Sequence, residues 1–141
     1  MERDKYSAKR KGHRVYRELI ISITVIVTLF TVNFFLQDYT KKSVTSITYD
    51  LKELKNDLKE KNVENIEPKL STIKNEWNGI YDKLAAYIEH DELEKVKTNM
   101  VAMEGFIEVE DYDTGINELN KSMYVLEHIA DKYDFNFINI F

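Results

Sequence analysis

The sequence predicts an all-α protein, with one N-terminal transmembrane helix followed by an extracytoplasmic antiparallel bundle of three to four helices. The 141 residues include only one proline and four glycines, too few for the many turns of a β sandwich or barrel. Residues 19–37 carry no charge. Beyond them, apolar residues recur at steps of three and four, which is the period of one face of a helix.

Residues 1–37 predict a membrane anchor. Residues 1–18 carry seven basic and three acidic side chains, and the uncharged residues 19–37 are about as long as a helix that crosses the lipid core. A cleavable signal peptide has a shorter apolar core and a small-residue cleavage site, so an uncleaved signal anchor fits better. The positive-inside rule places the basic N-terminus in the cytoplasm and residues beyond 37 outside it. We therefore expect a single-pass protein of the cell membrane.

Residues 38–134 predict the acidic helical bundle. The β-branched residues within 40–49 leave open a break between the membrane helix and the first bundle helix. Residues 62–67 are expected to end that helix, with Pro68 in the first turn of the next. The apolar stripes, which we assign to the core, are Val44, Ile47, Leu51, Leu54 and Leu58; Leu70, Ile73, Trp77, Ile80, Leu84 and Tyr87; Leu93, Val96, Met100, Met103 and Ile107; and Ile116, Leu119, Met123, Leu126 and Ala130.

The starts of the last two helices are predicted from their capping residues. Asp91 followed three residues later by Glu94 resembles a capping box. The acidic run 108–113 is expected to stop that helix, after which Asp113 or Thr114 caps the last one.

The sequence predicts no catalytic, cofactor-binding or metal-binding residue. There is no cysteine, and neither His90 nor His128 has a glutamate three residues before it, as the di-iron bundles require. Carboxylates at 91–92 and 111–113 are open to a role in glycoside chemistry, although helix capping accounts for acids at such places. The net charge of −9 over residues 38–141 argues against nucleic acid as a partner.

The apolar segment 135–141 is the candidate interaction surface. It either folds back along a groove of its own bundle or docks against a partner or the membrane surface, because exposed apolar patches commonly mark interaction sites. Its apolar residues are Phe135, Phe137, Ile138, Ile140 and Phe141.

The chain contains several short motifs: Trp77, the stretches 87–93 and 103–108, Leu126-Glu127-His128-Ile129 and Asn139-Ile140-Phe141. Together they resemble domain of unknown function family 4363, a family of short single-pass membrane proteins of clostridia and related Firmicutes. The resemblance implies a helical remainder after the membrane helix and assigns no activity, ligand or catalytic residue. It also implies a membrane partner of the YetF-like kind.

These observations leave three functions open. The first is a non-enzymatic accessory or interaction module for another membrane or envelope protein, anchored in membrane lipid through residues 19–37. The second is an extracytoplasmic bundle that senses a ligand, and the third is a carboxylate-dependent envelope hydrolase. The oligomeric state stays open, because stripes at this spacing serve bundles and coiled coils alike.

Overall fold

A computed structural model of the protein describes residues 2–133, with side-chain surroundings from residue 14 onward. The helices are α1 (Glu2–Glu60), α2 (Val63–Leu84), α3 (His90–Glu108) and α4 (Tyr112–Lys132), and no strand occurs in residues 2–133. The predicted all-α class is therefore confirmed. The chain divides into two compact units, Met1–Leu36 and Gln37–Phe141.

The first unit contains the apolar part of α1. Among the described helices, α1 alone is long and apolar enough to cross a membrane: within Arg14–Glu60, an 18-residue window has a mean hydropathy of 2.4 and none of it is buried. The hydroxyls of Thr24, Thr28 and Thr31 each donate to the carbonyl four residues earlier at 2.8 Å. These polar groups are thus satisfied within the helix, as a lipid environment requires.

The second unit is a four-helix bundle to which α1 contributes its C-terminal part. Residues 40–49 are helical throughout, so the possible break does not occur. Val44 and Ile47 are almost fully buried, and this burial outweighs the weak helix propensity of β-branched residues.

The bundle helices form an antiparallel ring in chain order, and one polar contact illustrates each neighbouring pair. Because low-numbered residues of one helix meet high-numbered residues of the next, neighbours run in opposite directions. The contacts are Lys69 to Asp57 (2.5 Å), Lys74 to Glu104 (2.8 Å), Lys132 to Glu92 (2.9 Å) and Lys55 to Asn120 (2.7 Å).

The core follows the predicted stripes of α1 and α3 fully, and those of the other two helices in part. In α2, Ile80 is only partly buried, and Tyr87 lies beyond the helix, in the α2–α3 linker. The predicted stripe of α4 is displaced, because two small residues share its core face. The buried residues of α4 are Gly115, Leu119, Ser122, Leu126 and Ile129, whereas Ile116, Met123 and Ala130 are only partly buried.

Two tight turns join α1 to α2 and α3 to α4, and both have the hydrogen bonds of a Schellman motif. Lys61 and Glu110 adopt left-handed backbone with φ of 56° and 59°. At the first turn the Asn62 amide donates to the Asp57 carbonyl at 2.9 Å, and at the second the Asp111 amide donates to the Phe106 carbonyl at 2.9 Å. Each turn therefore reverses the chain within two or three residues.

The first tight turn corrects the expected boundary of α2. Only residues 61–62 separate α1 from α2, and α2 begins at Val63, so residues 63–67 are helical and Pro68 lies in the second turn of the helix. A proline there removes a single hydrogen bond near the helix start, which the helix tolerates better than a proline at its centre.

The starts of α3 and α4 also differ from the predictions. The N-cap of α3 is Glu89, and it has no side-chain cap. Asp91 accepts from Lys95 and Glu94 accepts from Tyr81, so these two residues do not form the predicted capping box. The N-cap of α4 is Asp111, whose carboxylate accepts from the Thr114 amide at 3.2 Å.

Candidate interaction surface

An apolar groove lies on the bundle surface between α2 and α3. α3 packs more closely against α4 than against α2, and the looser α2–α3 pair leaves the groove open. Two polar contacts across the pair frame it: the Tyr81 hydroxyl donates to Glu94 at 2.7 Å, and Lys74 donates to Glu104 at 2.8 Å. We call this site the α2/α3 groove.

The walls of the α2/α3 groove are mainly apolar. They enclose about 170 Å³, which is close to the apolar cavity of about 150 Å³ known to hold one benzene molecule. Trp77 is almost fully buried in the α2 wall, whereas Val101 is 61% exposed at the rim. The apolar wall residues are Leu70, Ile73, Trp77, Met100, Val101 and Met103.

An aromatic and charged cluster lies at the end of the α2/α3 groove that is nearer the start of α3. The rings of Trp77 and Tyr81 meet edge to face with centroids 5.7 Å apart, and the Lys97 ammonium lies 5.5 Å from the Tyr81 ring centre. The Glu94 carboxylate raises the pKa of Tyr81, and the same hydrogen bond lowers the pKa of Glu94. Tyr81 therefore remains a neutral donor that ties α2 to α3.

A second cavity of about 450 Å³ lies between α1 and α4. Its lining carries more charge than that of the α2/α3 groove, since Lys41, Lys52, Glu127 and Asp131 contribute to it. Thr48 also lines this cavity, is 6% exposed, and its hydroxyl has no hydrogen-bond partner. A buried hydroxyl without a partner is uncommon and calls for a ligand or water.

The end of α4 is fastened to the start of α3. The Lys132 ammonium pairs with Glu89 at 3.1 Å and with Glu92 at 2.9 Å, and both carboxylates raise the pKa of Lys132. The Glu89 amide donates to the Tyr133 hydroxyl at 3.2 Å. These contacts place the C-terminal end of α4 beside the linker between α2 and α3.

The structure does not bring the candidate carboxylates together. Asp91 lies in the first turn of α3 and Asp111 precedes α4, so the 19 residues of α3 separate them by about 28 Å. The paired carboxylates of a glycosidase lie within about 10 Å of each other. Residues 91 and 111 of one chain therefore cannot flank the same glycosidic bond.

His90 and His128 also lie apart from any cluster of metal ligands. His90 begins α3, and the Nε2 atom of His128 lies 3.8 Å from the Glu92 carboxylate. Within the residues that the structure describes, no group of three or more His, Asp or Glu side chains is arranged to hold a metal ion.

The candidate residues Phe135, Phe137, Ile138, Ile140 and Phe141 lie outside the described residues. Sequence reasoning placed Trp77, Met100 and Met103 on core stripes and missed that they line an open groove. A stripe shows which face of a helix is apolar, but the distance between two helices depends on packing. The only sequence signal was Trp77 itself, because tryptophan is enriched at interfaces.

The chain belongs to the family described as domain of unknown function DUF4363, whose sequence model matches residues 34–140. The resemblance seen in the motifs is thereby confirmed. The match covers the whole bundle and all but the last residue of the segment 135–141. No curated protein and no solved structure matches the chain.

Proposed function

We propose that the protein is a membrane-anchored, non-enzymatic accessory module that binds another membrane or envelope protein. Residues 19–37 anchor it in lipid, and the bundle carries the apolar segment 135–141 that engages the partner. The observation that carries the proposal is the combination of an unburied apolar stretch in α1 with a bundle that has its own core. Such a chain has the parts of a tethered binding domain.

The contacts at the end of α4 support the role of the segment 135–141. Lys132 and Tyr133 are fixed to the start of α3, so a rigid helix ends directly before the apolar residues. A recognition element positioned by a rigid scaffold loses less conformational entropy when it binds. A YetF-like membrane protein is the first partner to test.

Membrane topology can be tested with single cysteines, because the chain has none of its own. Ser7→Cys should be protected from a membrane-impermeant maleimide in intact cells, and Lys59→Cys should be labelled. Permeabilised cells provide the control, in which both variants should react. Labelling of Ser7→Cys in intact cells would contradict the proposed orientation.

Partner binding can be tested by crosslinking in native membranes, followed by affinity capture and mass spectrometry. We expect a stoichiometric membrane protein that is captured by the full chain and lost when residues 135–141 are deleted. Tyr124→Ser is the matched control, since Tyr124 is 72% exposed on the surface of α4, and it should retain the partner. Capture of the chain alone, with no second protein, would contradict the proposal.

A second candidate function, ligand sensing, is favoured by the cavity between α1 and α4. The cavity size is within the range of about 300–1,000 Å³ that is usual for small-molecule sites, and the Thr48 hydroxyl there lacks a partner. A ligand that raises the melting temperature of the full chain, but not of Thr48→Val, would establish this function. A broad panel without any such ligand would count against it.

A further inference from the structure

We propose that the α2/α3 groove is the resting seat of this chain's own segment 135–141, with the ring of Phe141 between Trp77 and Val101. The inference deepens the proposed function, on which its regulatory meaning rests: a partner would have to displace the segment from the groove. The docking itself requires no partner and is tested in the isolated protein.

The size and chemistry of the α2/α3 groove fit a single aromatic ring. Its volume of about 170 Å³ exceeds only slightly the cavity that accepts benzene. Trp77 and Met100 lie on opposite walls, and both aromatic rings and methionine sulfur make favourable contacts with a phenyl group. Phenylalanine side chains occur three times in the segment.

The point where the chain leaves the bundle lies at one end of the α2/α3 groove. Tyr133 is held at the Glu89 amide, and Glu89 is the N-cap of α3, one wall of the groove. Met100 lies 11 residues further along, which is about 17 Å on a helix axis. With a step around α3 of about 10 Å, the path from the Tyr133 hydroxyl to the centre of the groove is about 20 Å.

The reach of the segment selects one of its three phenylalanines. An extended chain spans at most about 3.3 Å per residue. Phe135 can therefore lie only about 7 Å from Tyr133 and Phe137 about 13 Å, and both fall short of the centre of the groove. Phe141 can lie up to about 26 Å away, so it alone of the three can reach Trp77.

The cavity between α1 and α4 is a competing site for the segment within the bundle, and its chemistry is less suitable. Four charged side chains line it, two basic and two acidic, so an apolar segment would remove their charges from water at a cost. The contacts of Lys132 and Tyr133 also direct the chain toward Glu89 and Glu92 on α3. The α2/α3 groove is therefore the better seat.

Disulfide trapping tests the seat in the full chain, purified in detergent micelles, because no native cysteine interferes. Val101→Cys combined with Phe141→Cys should give an intramolecular disulfide under mild oxidation. The matched control, Val101→Cys with Phe135→Cys, should give none, because residue 135 cannot reach. A disulfide from Thr45→Cys with Phe141→Cys in place of the first pair would show that the segment occupies the α1/α4 cavity and would overturn the proposal.

Trp77 provides a second readout, because it is the only tryptophan of the chain and lines the α2/α3 groove. Phe141→Ala and Val101→Glu should each shift its emission to the red and increase its quenching by acrylamide, with helicity unchanged. Two controls should leave the emission unchanged. One is Phe135→Ala, and the other is Val109→Glu, which changes an exposed valine at the C-cap of α3 outside the groove. Unchanged emission in Phe141→Ala, or an effect that requires high protein concentration and so reports a second copy, would overturn the proposal.

The two proposals fail in different ways. Loss of the trapped disulfide and of the Trp77 effect removes the seat but leaves partner capture intact. Absence of a captured partner leaves the isolated chain's docking intact, and only the regulatory meaning is lost.

Discussion

Lys61 and Glu110 each adopt a backbone conformation that usually belongs to glycine. Lys61 directly follows α1 and Glu110 is the second residue after α3. Both have positive φ, where the Cβ of an ordinary residue is crowded. The geometry is retained because each turn completes two Schellman hydrogen bonds that satisfy the last carbonyls of α1 and α3. These two residues bear a local cost that a residue without a Cβ would not have.

Replacing either residue by glycine should stabilise the bundle. We expect Lys61→Gly and Glu110→Gly each to raise the free energy of unfolding by about 0.5–1 kcal/mol, since relief of the left-handed strain exceeds the entropy that glycine adds to the unfolded chain. Urea unfolding measures the effect. Lys61→Ala and Glu110→Ala keep the Cβ and serve as controls, and equal gains from alanine and glycine would contradict this explanation.

Glu76 on α2 lies beside Asp50 and Ser46 on α1. Burial raises the pKa of Glu76, the Ser46 hydroxyl lowers it in part, and the Asp50 carboxyl raises it further. The folded protein thus binds this proton more tightly than the unfolded chain does. Protonated Glu76 therefore contributes to the free energy of unfolding. This contribution is fully present below the unfolded pKa of 4.5 and is lost as the pH rises through the pKa of Glu76 in the folded protein.

Glu76→Gln should therefore be more stable than the native chain at pH 7. The gain should shrink and then vanish as the pH falls below the unfolded pKa of 4.5, because Glu76 becomes protonated in both states. Thermal melts across this pH range measure it. Asp50→Asn removes the same repulsion, so the double variant should gain less than the sum of the single variants, and additive gains would show that the two carboxyls do not interact.

At the scale of the helices, the sequence predicts a bundle of three to four helices and most of its core, and the structure has four. The stripes of α1 and α3 are buried as predicted, because a 3.6-residue period directly reports one helix face. The starts of α2, α3 and α4 were missed, because they depend on turns and caps that carry no apolar pattern. The left-handed backbone of Lys61 allows α2 to begin at Val63, five residues before Pro68. Gly115 and Ser122 lie on the core face of α4, but neither has the large apolar side chain by which a sequence pattern identifies such a face.

Gly115 sets the close approach of α3 and α4. A Cβ at this position would lie 3.2 Å from the Ile107 Cγ1 atom and 3.7 Å from the Met103 carbonyl oxygen. A Cβ at Gly79 or Gly105 would meet no atom within 4 Å. The three glycines therefore provide a matched set, with the same helix propensity and different space.

Alanine at Gly79 and at Gly105 should each stabilise the protein by about 0.5–1 kcal/mol through helix propensity. Gly115→Ala should gain less than either, because Ile107 must shift, and Gly115→Val should destabilise by about 1–3 kcal/mol through overpacking. Equilibrium unfolding in urea gives the order. Equal gains at all three positions would show that the contact with Ile107 does not constrain the helix pair.

At the scale of the whole molecule, the buried apolar core lies entirely within the second compact unit, Gln37–Phe141. We expect a fragment of residues 38–141 to be helical and to melt in one cooperative transition. In this fragment Leu126→Ala should cost about 2–5 kcal/mol, since Leu126 is fully buried and its loss leaves a cavity. Calorimetry and circular dichroism measure both effects.

The exposed Tyr124 supplies the control for that experiment. Tyr124→Ala, two residues from Leu126 on the outer surface of α4, should change the free energy of unfolding by less than about 0.5 kcal/mol. A fragment that melts gradually, or one in which the two alanine variants behave alike, would show that the unit lacks a packed core of its own.

An antiparallel ring with an even number of helices has a mechanical consequence. Thr40 on α1 contacts Tyr87 in the linker between α2 and α3, and Tyr133 at the end of α4 contacts Glu89 in the same linker. The chain thus enters and leaves the bundle at one end. A pulling force between residues 40 and 133 would load the contacts of α1 and α4 one after another, as in unzipping, and not all at once, as in shear. A bundle loaded in this way yields at low force.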